Sequence, residues 1–207
     1  GLTETSPVLT INPLDDSRRA GTIGLPLPDT QLRISDPHDL SRTQPDGEAG
    51  EILARGPQVF SGYLADAPAT AAAFHDGWFR TGDMGVREPD GHIRLVGRIK
   101  EIIITGGFNV YPGEVEEILR EHPSIDDVAV VGRPREDGSE DVVACLDLAD
   151  GAALDPEGLK DYCRERLTRY KVPRTFYHFE DLARDHLGKI RRHQVRKDLL
   201  ELLEAKA

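Results

Sequence analysis

A change of periodicity near residue 98 constrains this chain more than any other feature of its sequence. Between about residues 21 and 64, apolar residues come in short runs cut by turns. The runs are Gly21-Thr22-Ile23-Gly24, residues 29–34 with Leu32 and Ile34 set against polar neighbours, and Gly50-Glu51-Ile52-Leu53-Ala54-Arg55-Gly56. Two-residue alternation marks half-buried strands. Pro45-Asp46-Gly47 is a turn, since Pro presets φ and Gly accepts a positive one. The pattern predicts a brief helix over 68–74 and a hairpin over 86–96, folding back at Pro89-Asp90-Gly91. Strands so short and evenly spaced predict a small distorted barrel or sandwich.

Beyond residue 100 the pattern becomes mixed. Ile102-Ile103-Ile104 reads as a buried strand, and Pro112 suits the first position of a helix, where its missing N–H would have been unpaired anyway. Val115, Ile118 and Leu119 give that helix one apolar face, and Glu114, Glu116 and Glu117 suit its positive N-terminal end. Residues 128–131 and 142–146 read as strands about a turn. Asp155-Pro156 opens a second helix, with Leu159, Tyr162, Cys163, Leu167 and Tyr170 at helical spacing. A third strand is expected over 175–179 and a final helix over 193–203. The 207 residues therefore divide into a β-rich part, 1–99, and a small α+β domain, 100–207. The joint at Arg98-Ile99-Lys100 has no Gly/Ser linker. It is compatible with a hinge in which few residues absorb a large backbone change, although an ordinary tight connection is the plainer reading.

Charge and cysteine usage narrow the function classes. A net charge of −11 opposes a nucleic-acid surface, which needs a concentrated basic face. Lys189, Arg191, Arg192, Arg196 and Lys197 form the one basic cluster, which a solvated helix face would also explain. No apolar run approaches the ~20 residues that span a bilayer, and the start shows no signal-peptide pattern. Cys145 and Cys163 lack CxxC or His spacing and read as buried apolar fillers in a reducing, cytoplasmic setting. The seven histidines are scattered and suggest no metal cage.

Four segments, taken in order, carry more. They are Trp78-Phe79-Arg80-Thr81-Gly82-Asp83, Gly97-Arg98-Ile99-Lys100-Glu101, Gly106-Gly107-Phe108-Asn109-Val110-Tyr111-Pro112 and Leu187-Gly188-Lys189-Ile190-Arg191-Arg192. Their order and spacing resemble the adenylate-forming (AMP-binding) superfamily, which includes acyl-CoA synthetases, peptide-synthetase adenylation domains and luciferases. The resemblance implies that a carboxylate attacks the α-phosphate of ATP, and that a thiol, usually of coenzyme A, then displaces AMP. Such transfer relies on positioning and charge neutralisation, hence on cations and a metal-binding carboxylate. It implies that Lys189 bridges substrate carboxylate and α-phosphate, although the approach Ala183-Arg184-Asp185-His186-Leu187-Gly188 departs from the family's usual run. A surface lysine in a basic turn is the plainer alternative. Asp83 would accept both ribose hydroxyls, with Arg98 a second nucleotide contact. Lys100 falls at the family's hinge position, and Gly106 and Gly107 in the loop lining the pantetheine tunnel. Asn109 would lie near the nucleotide, or serve merely as a turn residue. Gly1-Leu2-Thr3-Glu4 resembles the end of a string in which Thr contacts phosphate and Glu holds Mg²⁺.

The resemblance also implies a large N-terminal domain preceding this segment. The β-rich part would be its end, the α+β part a mobile C-terminal domain, and the segment alone would be inactive. Residues 107–116 resemble those of acyl-CoA ligases acting on fatty acids or related carboxylates, which makes ATP, Mg²⁺, coenzyme A and a fatty acid the expected ligands. Two alternatives remain open at this point: a ligase that loads a carrier protein, and a non-catalytic interaction module that keeps the fold. Arg191, Arg192 and Lys197 could serve as a patch for the 3′-phosphate of CoA.

Overall fold

Turn residues punctuate the chain so often that its first hundred residues sustain no long element before residue 78. In the computed structural model, which describes residues 1–205, two units separate, Gly1–Lys100 and one beginning at Glu101. The first opens on a 3₁₀ turn, Thr3–Thr5. Strands β1 (Thr10–Ile11) and β2 (Leu25–Pro26) pair as a small antiparallel ribbon. Then follow β3 (Gln31–Asp36), β4 (Asp39–Thr43), β5 (Ala49–Arg55), helix α1 (Ala67–Ala73), β6 (Phe74–His75), β7 (Trp78–Arg87) and β8 (Ile93–Arg98). They form a six-stranded sheet in the order β4-β3-β5-β7-β6, with β8 pairing the far end of β7. Asp66 caps α1 by accepting the amide of Ala69 at 2.9 Å, and Pro68 lies in its first turn.

Every pairing in this sheet is antiparallel, so successive residues face opposite sides. Leu32, Ile34, Ile52, Ala54 and Phe79 pack on one face with Leu9 and Ile93. On the other face Arg33, Leu53 and Arg80 lie in register, one strand apart. The expected barrel does not form: the sheets are open, and none closes on itself among the described residues. Its edge strand β4 is polar and largely exposed, a usual way of blunting an edge rather than recruiting it for closure. Nor is 21–24 a strand. Only Gly24 bridges to Ile93, and the amide of Asn12 holds the segment through the carbonyls of Arg19 (2.6 Å) and Thr22 (3.3 Å).

The second unit contains β9 (Ile103–Thr105), β10 (Phe108–Val110), α2 (Pro112–Arg120), β11 (Ile125–Pro134), β12 (Glu140–Leu148), α3 (Pro156–Arg164), β13 (Thr175–His178) and α4 (Arg192–Glu204). Strand β12 is central, antiparallel to β11 and parallel to β13. A strand covered on both faces reads as an unbroken apolar run, and Val142, Val143, Ala144, Cys145 and Leu146 are all buried. On one face Val142, Ala144 and Leu146 meet Val115 and Leu119 of α2 and Leu159 and Cys163 of α3. On the other, Val143 and Cys145 meet Leu182 and Val195 and Leu199 of α4.

Two expected details differ. Ile103 alone of the three isoleucines reaches the core, because strand alternation turns Ile104 to solvent. Helix α3 stops at Arg164, and Leu167 and Tyr170 pack against the same core from beyond it, Tyr170 within a separate 3₁₀ turn, Arg169–Lys171.

Candidate functional site

In the first unit Arg98 and Lys100 gather with Arg80, Thr81, Gly82 and Tyr63, among others, around a cleft of about 470 Å³. Strand pairing explains the gathering. Asp83 of β7 lies directly opposite Arg98 of β8, and their side chains form an ion pair at 3.1 Å. The amide of Asp83 donates to the hydroxyl of Thr81 at 3.1 Å, and that hydroxyl donates to the carbonyl of Ile52 at 2.7 Å. The string Arg80-Thr81-Gly82-Asp83 is thus stitched to β5 and β8 by backbone and side chain together. Lys100 is exposed at the end of the unit.

The pairing of Glu51 with Arg80 was not anticipated. The Glu51 side chain is only 1% exposed and receives Arg80 from two nitrogens, Nε at 3.2 Å and Nη2 at 2.9 Å. A buried carboxylate needs such a two-point partner to offset its lost hydration. A Glu inside an apolar strand run was the available signal. Glu4 is half-buried, and its Oε1 accepts the hydroxyl of Tyr63 at 3.0 Å, which places it one hydrogen bond from the cleft wall. That bond is the first cause of a raised Tyr63 pKa, followed by burial. Thr3 is exposed beside it.

The second unit holds Gly106, Gly107, Asn109 and Lys189, and it does not bring them to one point. Gly106 and Gly107 form the two-residue turn of the β9–β10 hairpin, with φ of +55° and +83°. This turn needs positive φ at both positions, the reason for two glycines. Asn109 lies opposite Ile104 in that hairpin, and its neighbour Phe108, 54% exposed, stacks on Tyr170 with ring centres 4.5 Å apart.

Lys189 sits elsewhere, in the loop between β13 and α4, beside a smaller cleft whose walls include Arg120, Asp127, Arg184 and Arg192. Asp185 organises that loop: its carboxylate accepts the amides of Leu187 (2.8 Å) and Lys189 (3.0 Å), and its own amide donates to the carbonyl of Lys189 at 2.8 Å. The Lys189 side chain is exposed and forms no ion pair among the described residues. Beneath it Glu116, 1% exposed, accepts Arg192 at 2.6 and 2.7 Å, Arg120 at 3.4 Å and the buried amide of Val130 at 2.9 Å. Arg192 also binds Glu101 at 2.8 Å. Hydrogen bonding to Glu116 is the main reason the Arg192 pKa lies above its ordinary value.

These pairings correct the reading of the basic cluster. Arg192 is turned inward onto Glu116, Arg196 binds Glu140 at 2.7 Å, and Lys197 approaches Glu201 at 3.6 Å. A phosphate patch using Arg192 and Lys197 would have to break those contacts, whereas Arg191 pairs with no carboxylate among the described residues. No group of three or more metal-ligating side chains exists among the described residues, and no helix there is long and apolar enough to cross a membrane. Burial pushes the Cys145 thiol up to about 12 and Cys163 to about 11.

Residues 1–64 match the family model for AMP-binding enzymes, and residues 114–189 match that for the AMP-binding enzyme C-terminal domain. Long-chain-fatty-acid–CoA ligase of Salmonella typhimurium is 40% identical over 100% of this chain and 36% of its own length. Indoleacetate–CoA ligase of Aromatoleum aromaticum is 44% identical over 95% of this chain and 38% of its own. Among solved structures, ATP-bound MatB from Rhodopseudomonas palustris superposes with a TM-score of 0.90 at 35% identity, covering 96% of this chain and 39% of that one. The o-succinylbenzoate CoA synthetase MenE of Bacillus subtilis, in complex with its acyl-adenylate intermediate, gives 0.83 at 32% identity over 95% and 40%. The chain belongs to the adenylate-forming AMP-binding enzymes. It spans 36–38% of the length of these two curated relatives.

Proposed function

We propose that this chain is the C-terminal part of an AMP-forming acid:CoA ligase, and that in the complete polypeptide it supplies the adenylating lysine, Lys189. One observation carries the assignment: Lys189 is presented on a loop built from its own backbone hydrogen bonds, with its ammonium unpaired among the described residues. Around it Arg120, Arg184 and Arg192 are all bound to carboxylates. An exposed point charge on a compact loop suits the charge that builds on a phosphate as a carboxylate attacks it.

The remaining roles follow from the first unit and from the resemblance. Asp83, fixed by Arg98 and by the hydrogen bond its backbone N–H donates to the Thr81 hydroxyl, has lone pairs to accept ribose hydroxyls. Arg98 offers a second nucleotide contact beside it. Thr3 would reach a phosphate. Glu4 offers a single carboxylate, which is enough for Mg²⁺ when substrate phosphates and water complete its shell. When bound, that ion would neutralise phosphate charge. Lys100 would be the hinge position, Gly106 and Gly107 would line the path of the thiol, and Asn109 would lie near the nucleotide. The carboxylic acid becomes an acyl-adenylate with release of pyrophosphate, and the CoA thiol then displaces AMP. A fatty acid is the substrate proposed first, supported by the likeness to fatty-acid ligases; the likeness to ligases of aromatic acids sets indoleacetate-type acids second.

The test is pyrophosphate release by the complete enzyme with ATP, Mg²⁺ and a panel of carboxylic acids. Acid-dependent release should fall on the order of a hundredfold in Lys189→Ala, the scale for removing one transition-state contact. The segment 1–207 alone should release none. Adding CoA or an acyl-carrier protein to the stalled adenylate then identifies the acceptor. Release that is absent with every acid would refute the ligase assignment.

A further inference from the structure

A continuous ion network runs through the second unit from its first residue to the Lys189 loop, and the reaction scheme above leaves it without a task. It begins at Glu101, which binds Arg192 at 2.8 Å; Arg192 binds Glu116, and Glu116 is approached by Arg120 at 3.4 Å. Arg120 then donates to Asp127 Oδ1 at 3.3 Å. The other oxygen of Asp127 takes Arg184 at 2.7 Å. Arg184 is bifunctional: its second terminal nitrogen donates to the carbonyl of Gly188 at 3.1 Å, the peptide unit immediately preceding Lys189.

The placement of Asp127 is not a by-product of regular pairing. The β11–β12 register shifts between Ile125 and Asp127, and such a bulge re-aims side chains relative to the regular pleat. Asp127 then carries three donors: Arg184, Arg120 and the amide of Val128 at 2.8 Å. Burial works to raise its pKa, but the hydrogen bond from Arg184 and those from Val128 and Arg120 outweigh it and hold the carboxyl below its ordinary value. It stays ionised throughout the neutral range. The loop itself has few other restraints on its outer side: Leu187, Gly188 and Lys189 are all exposed. Asp185 sets the shape of the turn from within, whereas Arg184 is the side chain that ties the turn to a strand.

We propose that Asp127 is the positioning residue for Lys189, acting through Arg184 on the Gly188 carbonyl to fix the direction in which the ammonium is presented. The inference rests on Lys189 being the adenylating cation. It makes Asp127 dispensable for the thiol step, in which Lys189 has no assigned part.

The test uses the complete enzyme with Asp127→Asn, which keeps the size and one acceptor oxygen but loses the charge, and with Asp127→Glu as the conservative variant. Hydrogen exchange at the Leu187, Gly188 and Lys189 amides should quicken by about two- to fivefold in Asp127→Asn, the scale for a partly exposed ion pair. Apart from Val128, whose amide binds Asp127 directly, the amides of β11 and β12 should be unchanged. The adenylation kcat should fall on the order of tenfold, as expected of a misdirected group. The KM for ATP, and thioester formation from preformed acyl-adenylate, should hold. Asp127→Glu should recover part of both losses. Unchanged loop exchange would overturn the proposal, as would uniformly faster exchange across the unit or an equal loss of both half-reactions, since each makes Asp127 either idle or merely structural. If the wild-type enzyme adenylates no acid, the ligase assignment fails on that ground alone. The local exchange pattern then still decides whether Asp127 orders the loop.

Discussion

Glu116→Ala should be the most damaging single substitution in the second unit outside its apolar core. The alanine removes the acceptor of the Val130 amide, a buried N–H, and leaving such a group unsatisfied costs about 1–3 kcal/mol. It also strips Arg192 of a two-point partner. That guanidinium is 24% exposed and keeps Glu101, so this second loss is held to about 1–2 kcal/mol rather than the 3–5 of a fully buried pair. Together the loss should be about 3 kcal/mol. For a domain of this size that lowers the melting temperature by about 12 °C or more. Glu116→Gln retains an oxygen for Val130 and a neutral acceptor for Arg192, and should lose about half as much. Urea unfolding followed by far-UV circular dichroism measures both. If Glu116→Ala costs less than about 1 kcal/mol, or if the glutamine variant is no better than the alanine, the account of Glu116 as the hub joining α2, β11 and the first residue of α4 is wrong.

Three further outcomes follow from the geometry. Gly107→Ala should destabilise the β9–β10 hairpin by about 1–2 kcal/mol, because a Cβ at positive φ is strained even though no atom lies within 4 Å of it; Gly107→Asn should cost less, and denaturant titration ranks the two. Asp141 binds Arg133 (2.6 Å) and Arg174 (2.7 Å), and although burial opposes them, these arginines hold its pKa below the ordinary value. Its contribution is therefore complete above the unfolded pKa of about 3.9 and is lost as pH falls through the lower folded value; Asp141→Asn should flatten the acid limb of a stability–pH curve. Cys145 and Cys163, with pKa values raised by burial to about 12 and about 11, should resist a thiol reagent at pH near 8 in the folded chain and react once urea exposes them.

Helices were more legible in the sequence than sheet closure. Proline at or next to the first position located the starts of α1 and α3, while alternation found β3 and β5. These signals are local, acting through backbone groups within one turn or through the two faces of one strand. Whether a sheet closes depends on what its edges meet, and the polar edge strand at Asp39–Thr43 carries no periodic apolar signal to reveal it. The same limit applies at the site. Arg80-Thr81-Gly82-Asp83 and Arg98 could be picked out as motifs, yet the partnership of Glu51 with Arg80 is set by neighbouring strands 29 residues apart in sequence. The network from Glu101 to Arg184 was still less visible. Glu116 looked like a helix-start acid, and Arg192 like one more charge in a solvated run. Only the contact of α2 with the start of α4 in the folded chain shows that each satisfies the other.

The parallel pairing of β12 with β13 has a consequence for the order of folding. The β11–β12 hairpin closes through a short turn, whereas β13 reaches β12 only after α3 and the surrounding chain have crossed the sheet, a slower closure. Leu182 and Ile190, which flank the Lys189 loop, join the cluster under α4 and so acquire their seat after β13 has docked. Leu182→Ala should then accelerate unfolding and leave the folding rate nearly unchanged, with a φ-value near zero. The reverse passage matters to a working enzyme: on mild denaturation the lysine loop is released first, and adenylation should fade at urea concentrations where the helical signal of the unit is still intact.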